Sequence, residues 1–215
     1  RLQGQQLINQ GVISPAGNLQ IEVQKLTNRG TLGSAGALGI KAADVLNEQG
    51  LIFSGADMQL SVDRLSNRYA DIYSLGNIDL RGHGNSLQAR RVENVSASME
   101  ALGDFILHSA LTENRRDVLD IRESGKYSVV ISELPCHGPY RLGDCDLGSN
   151  GRRNAAWQIT EREKLEVVAS SAASRLQAGG NLNVYGQSLL NSSSQIGSGK
   201  DLLLSVEELT NQGVK

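Results

Sequence analysis

The sequence predicts an all-β protein: a right-handed parallel β-helix of about 20 residues per rung, interrupted by a hairpin and loop insertion. Three observations lead there. A short phrase recurs at a fixed period, a column of asparagine keeps step with it, and helix-forming stretches between the copies are absent.

The phrases "AGNLQI", "AGALGI", "GADMQL", "LGNIDL", "LGDFIL", "GGNLNV" and "GKDLLL" share one template: a small residue, usually Asn or Asp, an apolar residue, any residue, then an apolar residue. Their first apolar positions are Leu19, Leu38, Met58, Ile78, Phe105, Leu182 and Leu202, at steps of 19, 20, 20, 27, 77 and 20 residues. Nine residues later stand Asn28, Asn47, Asn67, Asn114, Asn191 and Asn211. The unit begun by Ile78 reaches Asn94 only after 16 residues, which implies seven inserted ones. Flanking apolar columns run through Leu26, Val45 and Leu65 before the Asn, and through Ile13, Leu32, Ile52 and Ile72 after it. "LTNRG" at 26–30 and "LTNQG" at 209–213 are therefore one corner of two different rungs.

A unit of this length is expected to hold three short strands and three turns. Leu19, Ile21 and Val23 alternate, so the strand buries one face, and only stacked copies can cover it. Gly and Asn at the corners are expected to supply left-handed backbone angles, and an Asn amide can bond the turns above and below it. Parallel crossovers make the coil right-handed. Nine corners (Asn9, Asn28, Asn47, Asn67, Asn94, Asn114, Ser171, Asn191 and Asn211) imply a stack about 40 Å long or more. A leucine-rich repeat would place its Asn about three positions after the strand leucine, not nine.

The register is lost between Asn114 and about Lys164, which divides the chain into repeats over 1–114, an insertion over 115–164 and resumed repeats over 165–215. "DVLDIRESGKYSVVIS" predicts a hairpin turning at Ser124–Gly125, and "AAWQIT" a strand returning to the stack. Between them lies loop sequence containing Pro135, Cys136, His137, Pro139, Tyr140, Arg141 and Cys145. Insertions in solenoids gather on one face and often bind something, so the stretch is read either as a structural junction or as a presentation site.

The chemistry-bearing columns are unpromising for catalysis. Equal offsets give Gln20, Gly39, Gln59, Asp79, Ile106, Asn183, Leu203 and Glu22, Lys41, Ser61, Arg81, His108, Tyr185, Ser205; neither gathers the paired carboxylates of a glycosidase. The column Asn18, Ala37, Asp57, Asn77, Asp104, Asn181 and Asp201 suggests calcium, yet the nonapeptide pattern of calcium β-helices is absent and turn capping is the simpler reading. Cys136, His137 and Cys145 match no standard zinc spacing, so no metal or other cofactor is expected. His83 falls in the inserted loop and His108 at an outward strand position; the pairs Arg90–Arg91 and Arg152–Arg153 are read as solvated. "RGHGNS" at 81–86 lacks the continuation of a phosphate loop. A net charge of −2 argues against nucleic acid as a partner, and no apolar run is long enough for stable membrane insertion. Position 1 is Arg and no signal-peptide pattern follows, so the chain is expected to be a piece of a longer protein.

"SPAGNLQIEVQKLTNRGTL", "GLIFSGADMQLSVDRLSNR" and "IGSGKDLLLSVEELTNQG" resemble the filamentous haemagglutinin repeats of two-partner-secreted exoproteins, over about residues 7–114 and 165–215. That resemblance implies a non-enzymatic shaft, secreted or held at the surface of a Gram-negative bacterium after export through an outer-membrane partner transporter. It also implies adhesion, or the toxin-delivery stick of contact-dependent growth inhibition, with a target-cell receptor as a further partner. An exported protein favours a Cys136–Cys145 disulfide, which would pin His137, Tyr140 and Arg141 as candidate receptor contacts. "VENV" at 92–95 resembles the boundary motif preceding such toxins, but Asn94 is already accounted for as a corner. The alternative from another class is a β-helical polysaccharide-modifying enzyme, which a carboxylate column would have marked.

Overall fold

The computed structural model describes residues 1–123, 130–134, 156–160 and 165–213. They fall into two compact units, Arg1–Val118 with Ser171–Lys215, and Leu119–Ser170. In chain order the first unit runs β1 (Leu2–Asn9), β2 (Val12–Ile13), β3 (Leu19–Asn28), β4 (Thr31–Ser34), β5 (Leu38–Glu48), β6 (Leu51–Ser54), β7 (Met58–Arg68), β8 (Asp71–Ser74), β9 (Ile78–Arg81), β10 (Ala89–Val95), β11 (Ser98–Ala101) and β12 (Phe105–Arg115). The second unit holds β13 (Leu119–Glu123), β14 (Val130–Leu134), β15 (Ala156–Thr160) and β16 (Leu165–Ser170). The chain then completes the first unit with β17 (Arg175–Ala178), β18 (Leu182–Ser192), β19 (Gln195–Ser198) and β20 (Leu202–Gln212).

Long and short strands alternate because each rung crosses two sheets. The long strands form one sheet in the order β1-β3-β5-β7-β10-β12-β18-β20, with β9 filling the gap between β7 and β12. The short strands form a second sheet, β2-β4-β6-β8-β11-β17-β19. Every neighbour in both sheets is parallel, and the whole is a β-solenoid of about 8 turns. Columns predicted from equal offsets are true Cα partners: Leu19, Leu38, Met58 and Ile78 stand in line, and so do Phe105 and Leu182.

The rung has two strands where three were expected, and the inward-facing positions show why. In β5 residues 38, 40, 42, 45 and 47 are buried; in β7 the set is 58, 60, 62, 65 and 67. The alternation slips by one residue at mid-strand, where one or two bridge pairs drop out, so the long strand turns a corner while the register on either side stays the same. The third strand is thus the far half of the long one. Residues 82–88 sit at this bend, separating β9 from β10 while both halves keep their partners in β7 and β12.

The core between the sheets is aliphatic, as the scarcity of aromatic residues requires; Phe105 is the one ring among its largest fully buried side chains. Leu202 and Leu209 occupy the columns of Leu182 and Leu189, which are fully buried, yet are 47% and 52% exposed on the last described rung.

Three expectations need correction. Ser171 is not a corner, because β12 pairs directly with β18 and the amide of Asn114 reaches Asn191. The 77-residue step is one rung carrying an excursion, so eight corners remain and the stack spans about 34 Å. The expected turn at Ser124–Gly125 lies outside the described residues, and the two arms of the expected hairpin over 117–132 take other partners: β13 pairs antiparallel with β16, and β14 with β15. The Ser171 amide donates to the Val118 carbonyl at 2.9 Å, so the first strand out lies naturally beside the last strand back. "AAWQIT" accordingly pairs with β14 and does not return to the stack. Finally, the left-handed corner residues are Gln49, Tyr69, Ser96 and Ser193, not Asn or Gly. Each stands two places after a corner Asn and marks a turn one residue longer than the one after Asn28. That extra residue is the difference between the 19- and 20-residue steps.

Candidate functional site

The eight asparagines meet in one column. The side-chain amide of Asn9 donates to the Oδ1 of Asn28 at 2.7 Å. The chain of bonds continues through Asn47, Asn67, Asn94, Asn114, Asn191 and Asn211 at 2.8–2.9 Å. All but Asn211 are buried. From Asn9 to Asn94 each amide nitrogen also reaches a carbonyl of its own turn and one of the next rung, as Asn94 does to Ala97 at 2.9 Å and Arg175 at 2.8 Å. Asn114 keeps only the next-rung carbonyl of Gln195, and Asn191 only its own-turn carbonyl of Ser194. An amide is the group that can both donate upward and accept from below, so the column needs Asn itself. Where the chain leaves the stack, Ser174 donates to the carbonyls of Asn94 (2.9 Å) and Arg115 (2.7 Å), and the Ser96 and Ser171 hydroxyls lie 2.6 Å apart.

The second Asx column does different work. Asn18, Asp57, Asn77, Asp104 and Asn181 each accept the backbone N–H of the equivalent residue one rung on, at 2.7–3.2 Å. These side chains are turn caps, and among the described residues no group of three or more His, Cys, Asp or Glu could hold a metal ion. Four of the five caps stand beneath a glycine, the exception being Asn181 beneath Lys200. A Cβ on Gly36, Gly76, Gly103 or Gly180 would lie 2.1–2.4 Å from the Asx oxygen of the rung below. The equivalent residue above Ala37, which has no such oxygen, is Ala56. This pairing of columns was not read from the sequence, although the alternation of Gly and Ala carried it.

Outward charges on the long-strand sheet are neutralised between rungs. Arg64 pairs with Asp44 at 2.5 Å, Arg29 with Glu48 at 2.7 Å, Arg90 with Asp63 at 2.8 Å, and Arg91 with Glu113 as well as with Glu93 of its own strand. Arg64 holds the Asp44 carboxyl below its ordinary range, chiefly by hydrogen bonding. The shallow groove over Lys25, Asp44, Arg64 and Arg91 therefore holds ion pairs at Asp44, Arg64 and Arg91, and no convergent carboxylates. His108 stacks on Tyr185, ring centroids 4.7 Å apart, and His83 is half-buried in the 82–88 loop. Cys136, His137, Tyr140, Arg141, Cys145, Arg152 and Arg153 lie outside the described residues. Among those described there is no helix long and apolar enough to cross a membrane.

The family model described as the haemagglutinin repeat matches residues 16–83 and 154–215. Searches of curated proteins and of solved structures return no match to the chain.

Proposed function

The chain belongs to the haemagglutinin repeat family, and from that premise we propose that it is a shaft segment of a large secreted exoprotein, mediating contact between cells from the bacterial surface. In this reading a partner transporter in a Gram-negative outer membrane exports it, and the shaft carries a receptor-contacting element as adhesins and growth-inhibition sticks do. The observation that carries the proposal is the passage of the Asn ladder from Asn114 to Asn191, residues 77 apart in sequence, at 2.8 Å. A shaft built this way tolerates an excursion within one rung while its own hydrogen bonding stays continuous.

Presentation of a ligand surface falls to the excursion, with Cys136 and Cys145 closing a loop that holds His137, Tyr140 and Arg141. A disulfide of about ten residues' span would stabilise that loop by roughly 2.5–3 kcal/mol. The test joins Val118 to Ser171 through a short glycine linker and compares attachment to target cells. Loss of attachment with an unchanged melting temperature is the expected result, and Tyr140→Ala or Arg141→Ala should reproduce part of it. Undiminished attachment would assign adhesion to the shaft and leave the excursion a junction.

A further inference from the structure

The outward face of the short-strand sheet differs in kind from the charged long-strand face. With Leu32, Ile52, Ile72, Met99 and Leu176 pointing into the core, the alternate residues form two outward columns. One runs Leu51, Asp71, Ser98, Arg175, Gln195, and the other runs Gly33, Phe53, Tyr73, Glu100, Gln177.

Phe53 and Tyr73 are parallel, their planes 8° apart and centroids 6.2 Å apart. A Cβ on Gly33 would lie 3.2 Å from the Phe53 Cβ and 3.4 Å from its Cδ1, and Gly33 is buried despite facing outward. The Phe53 ring thus leans over the preceding rung, and Tyr73 is tiled alongside it. The rings floor a cavity of about 340 Å³, edged by Leu51, Asp71, Ser98 and Glu100. Packing does not call for them: the interior is aliphatic, and only two Phe and five Tyr occur in the chain. Nor are the rim charges paired between rungs, since the neighbours of Glu100 are Tyr73 and Gln177, and those of Asp71 are Leu51 and Ser98.

We propose that this face binds a neutral oligosaccharide laid along the shaft, with one sugar ring seated on Phe53 and Tyr73. A pyranose presents an apolar C–H face and a rim of hydroxyls. Tiled aromatic rings match the face, and planar groups with two hydrogen-bonding positions match the rim. Carboxylates at 71 and 100, carboxamides at 177 and 195 and the guanidinium of Arg175 continue in line with the rings across successive rungs, the course a linear glycan would follow. The negative sign beside the platform selects against sulfated and uronate sugars. None of these residues belongs to the excursion, and the proposal does not depend on its role.

The test titrates the full chain with cellohexaose, followed by saturation-transfer NMR and calorimetry, with a heparin hexasaccharide and hexalysine as comparison probes. Transfer to the neutral sugar is expected. Phe53→Ala and Tyr73→Ala should each weaken it about three- to tenfold, while Tyr73→Phe retains it. Glu100→Leu should weaken it and Glu100→Gln should not; these rim variants give the answer if an alanine variant fails to fold. Three results would overturn the proposal: no transfer from the folded parent at millimolar sugar, transfer undiminished in the Phe53→Ala/Tyr73→Ala double variant, or Tyr73-dependent binding of heparin or hexalysine in place of cellohexaose.

Discussion

Two corners of the same rung solve the same problem with different chemistry. At one, buried asparagines bond each other and the backbone of the next rung; at the other, exposed or half-buried Asx residues accept one backbone N–H each. The buried column uses both ends of the amide and holds Asn at all eight positions. The outer column needs only an acceptor for the backbone (one further bond, from the Asn77 amide to Asp57, is exposed), and there Asn18, Asn77 and Asn181 interchange with Asp57, Asp104 and Asp201, and even with Ala37. The difference teaches that residue choice here follows the number of hydrogen-bonding roles demanded away from water, not the shape of the turn.

The sharpest way to break that comparison is to exchange amide and carboxylate in each column. Asn47→Asp leaves a buried carboxylate facing the Asn67 oxygen that its amide now bonds at 2.8 Å, and should cost about 3–5 kcal/mol in denaturant unfolding. Asn47→Ala, which removes the same bonds without adding charge, should cost about 1–3 kcal/mol. Asp57→Asn should fall within about 0.5 kcal/mol of the parent. Equal losses in the two columns would remove the distinction.

The outer column can be tested through its glycine. Gly103→Ala sets a methyl 2.3 Å from the Asn77 oxygen and should cost about 1–3 kcal/mol. In an Asn77→Ala background the same change should cost at least about 1 kcal/mol less, a coupling that a double-mutant cycle reads directly. Additive losses would mean that glycine is required by the backbone alone.

A smaller effect of opposite sign is expected at the longer turns. Gln49 is exposed with φ 54°, so Gln49→Gly should raise stability by about 0.5–1 kcal/mol in the same unfolding assay. A loss of stability would show that the Gln49 side chain contributes more than its backbone strain costs.

The smallest effect concerns pH. The Tyr69 hydroxyl donates to Asp117 at 2.6 Å and, with Arg115 and Arg68, holds that carboxyl below the ordinary aspartate range. A depressed folded pKa stabilises above the unfolded value, and the contribution is lost as pH falls through the folded one. Tyr69→Phe should therefore lower the melting temperature slightly at neutral pH and by less in strong acid. An equal shift at both would assign the role of Tyr69 to packing.

Much of this was legible in the sequence, because a solenoid writes its contacts as equal offsets. The Leu19, Leu38, Met58 column and the Asn column were readable by counting, and the bend at 82–88 announced itself as seven surplus residues. Pairing within Leu119–Ser170 was not readable in this way. Alternation marks β13 and β14 as strands, but their partners β16 and β15 are set by where the excursion's ends meet. Ser171 was misplaced for the same reason, since a long gap in sequence says nothing of how many rungs it crosses. The Phe53–Tyr73 face was missed although both follow an inward isoleucine, Ile52 and Ile72, by one residue. The outward positions of the short strands hold unlike residues from rung to rung, Gly33, Phe53, Tyr73 and Glu100, so no repeating phrase marks them.

The excursion lies within a single rung, so β12 and β18 are nearest neighbours. Ile106 and Asn183 are Cα partners across that boundary, whereas Leu203 lies one rung further along the same column. With Cys136 and Cys145 replaced by serine, the pair Ile106→Cys and Asn183→Cys should close a disulfide under mild oxidation, because adjacent strands bring Cα atoms within bridging distance. The pair Ile106→Cys and Leu203→Cys, about 10 Å apart, should stay reduced. Failure of the first pair to close in folded protein, or ready closure of the second, would contradict the account.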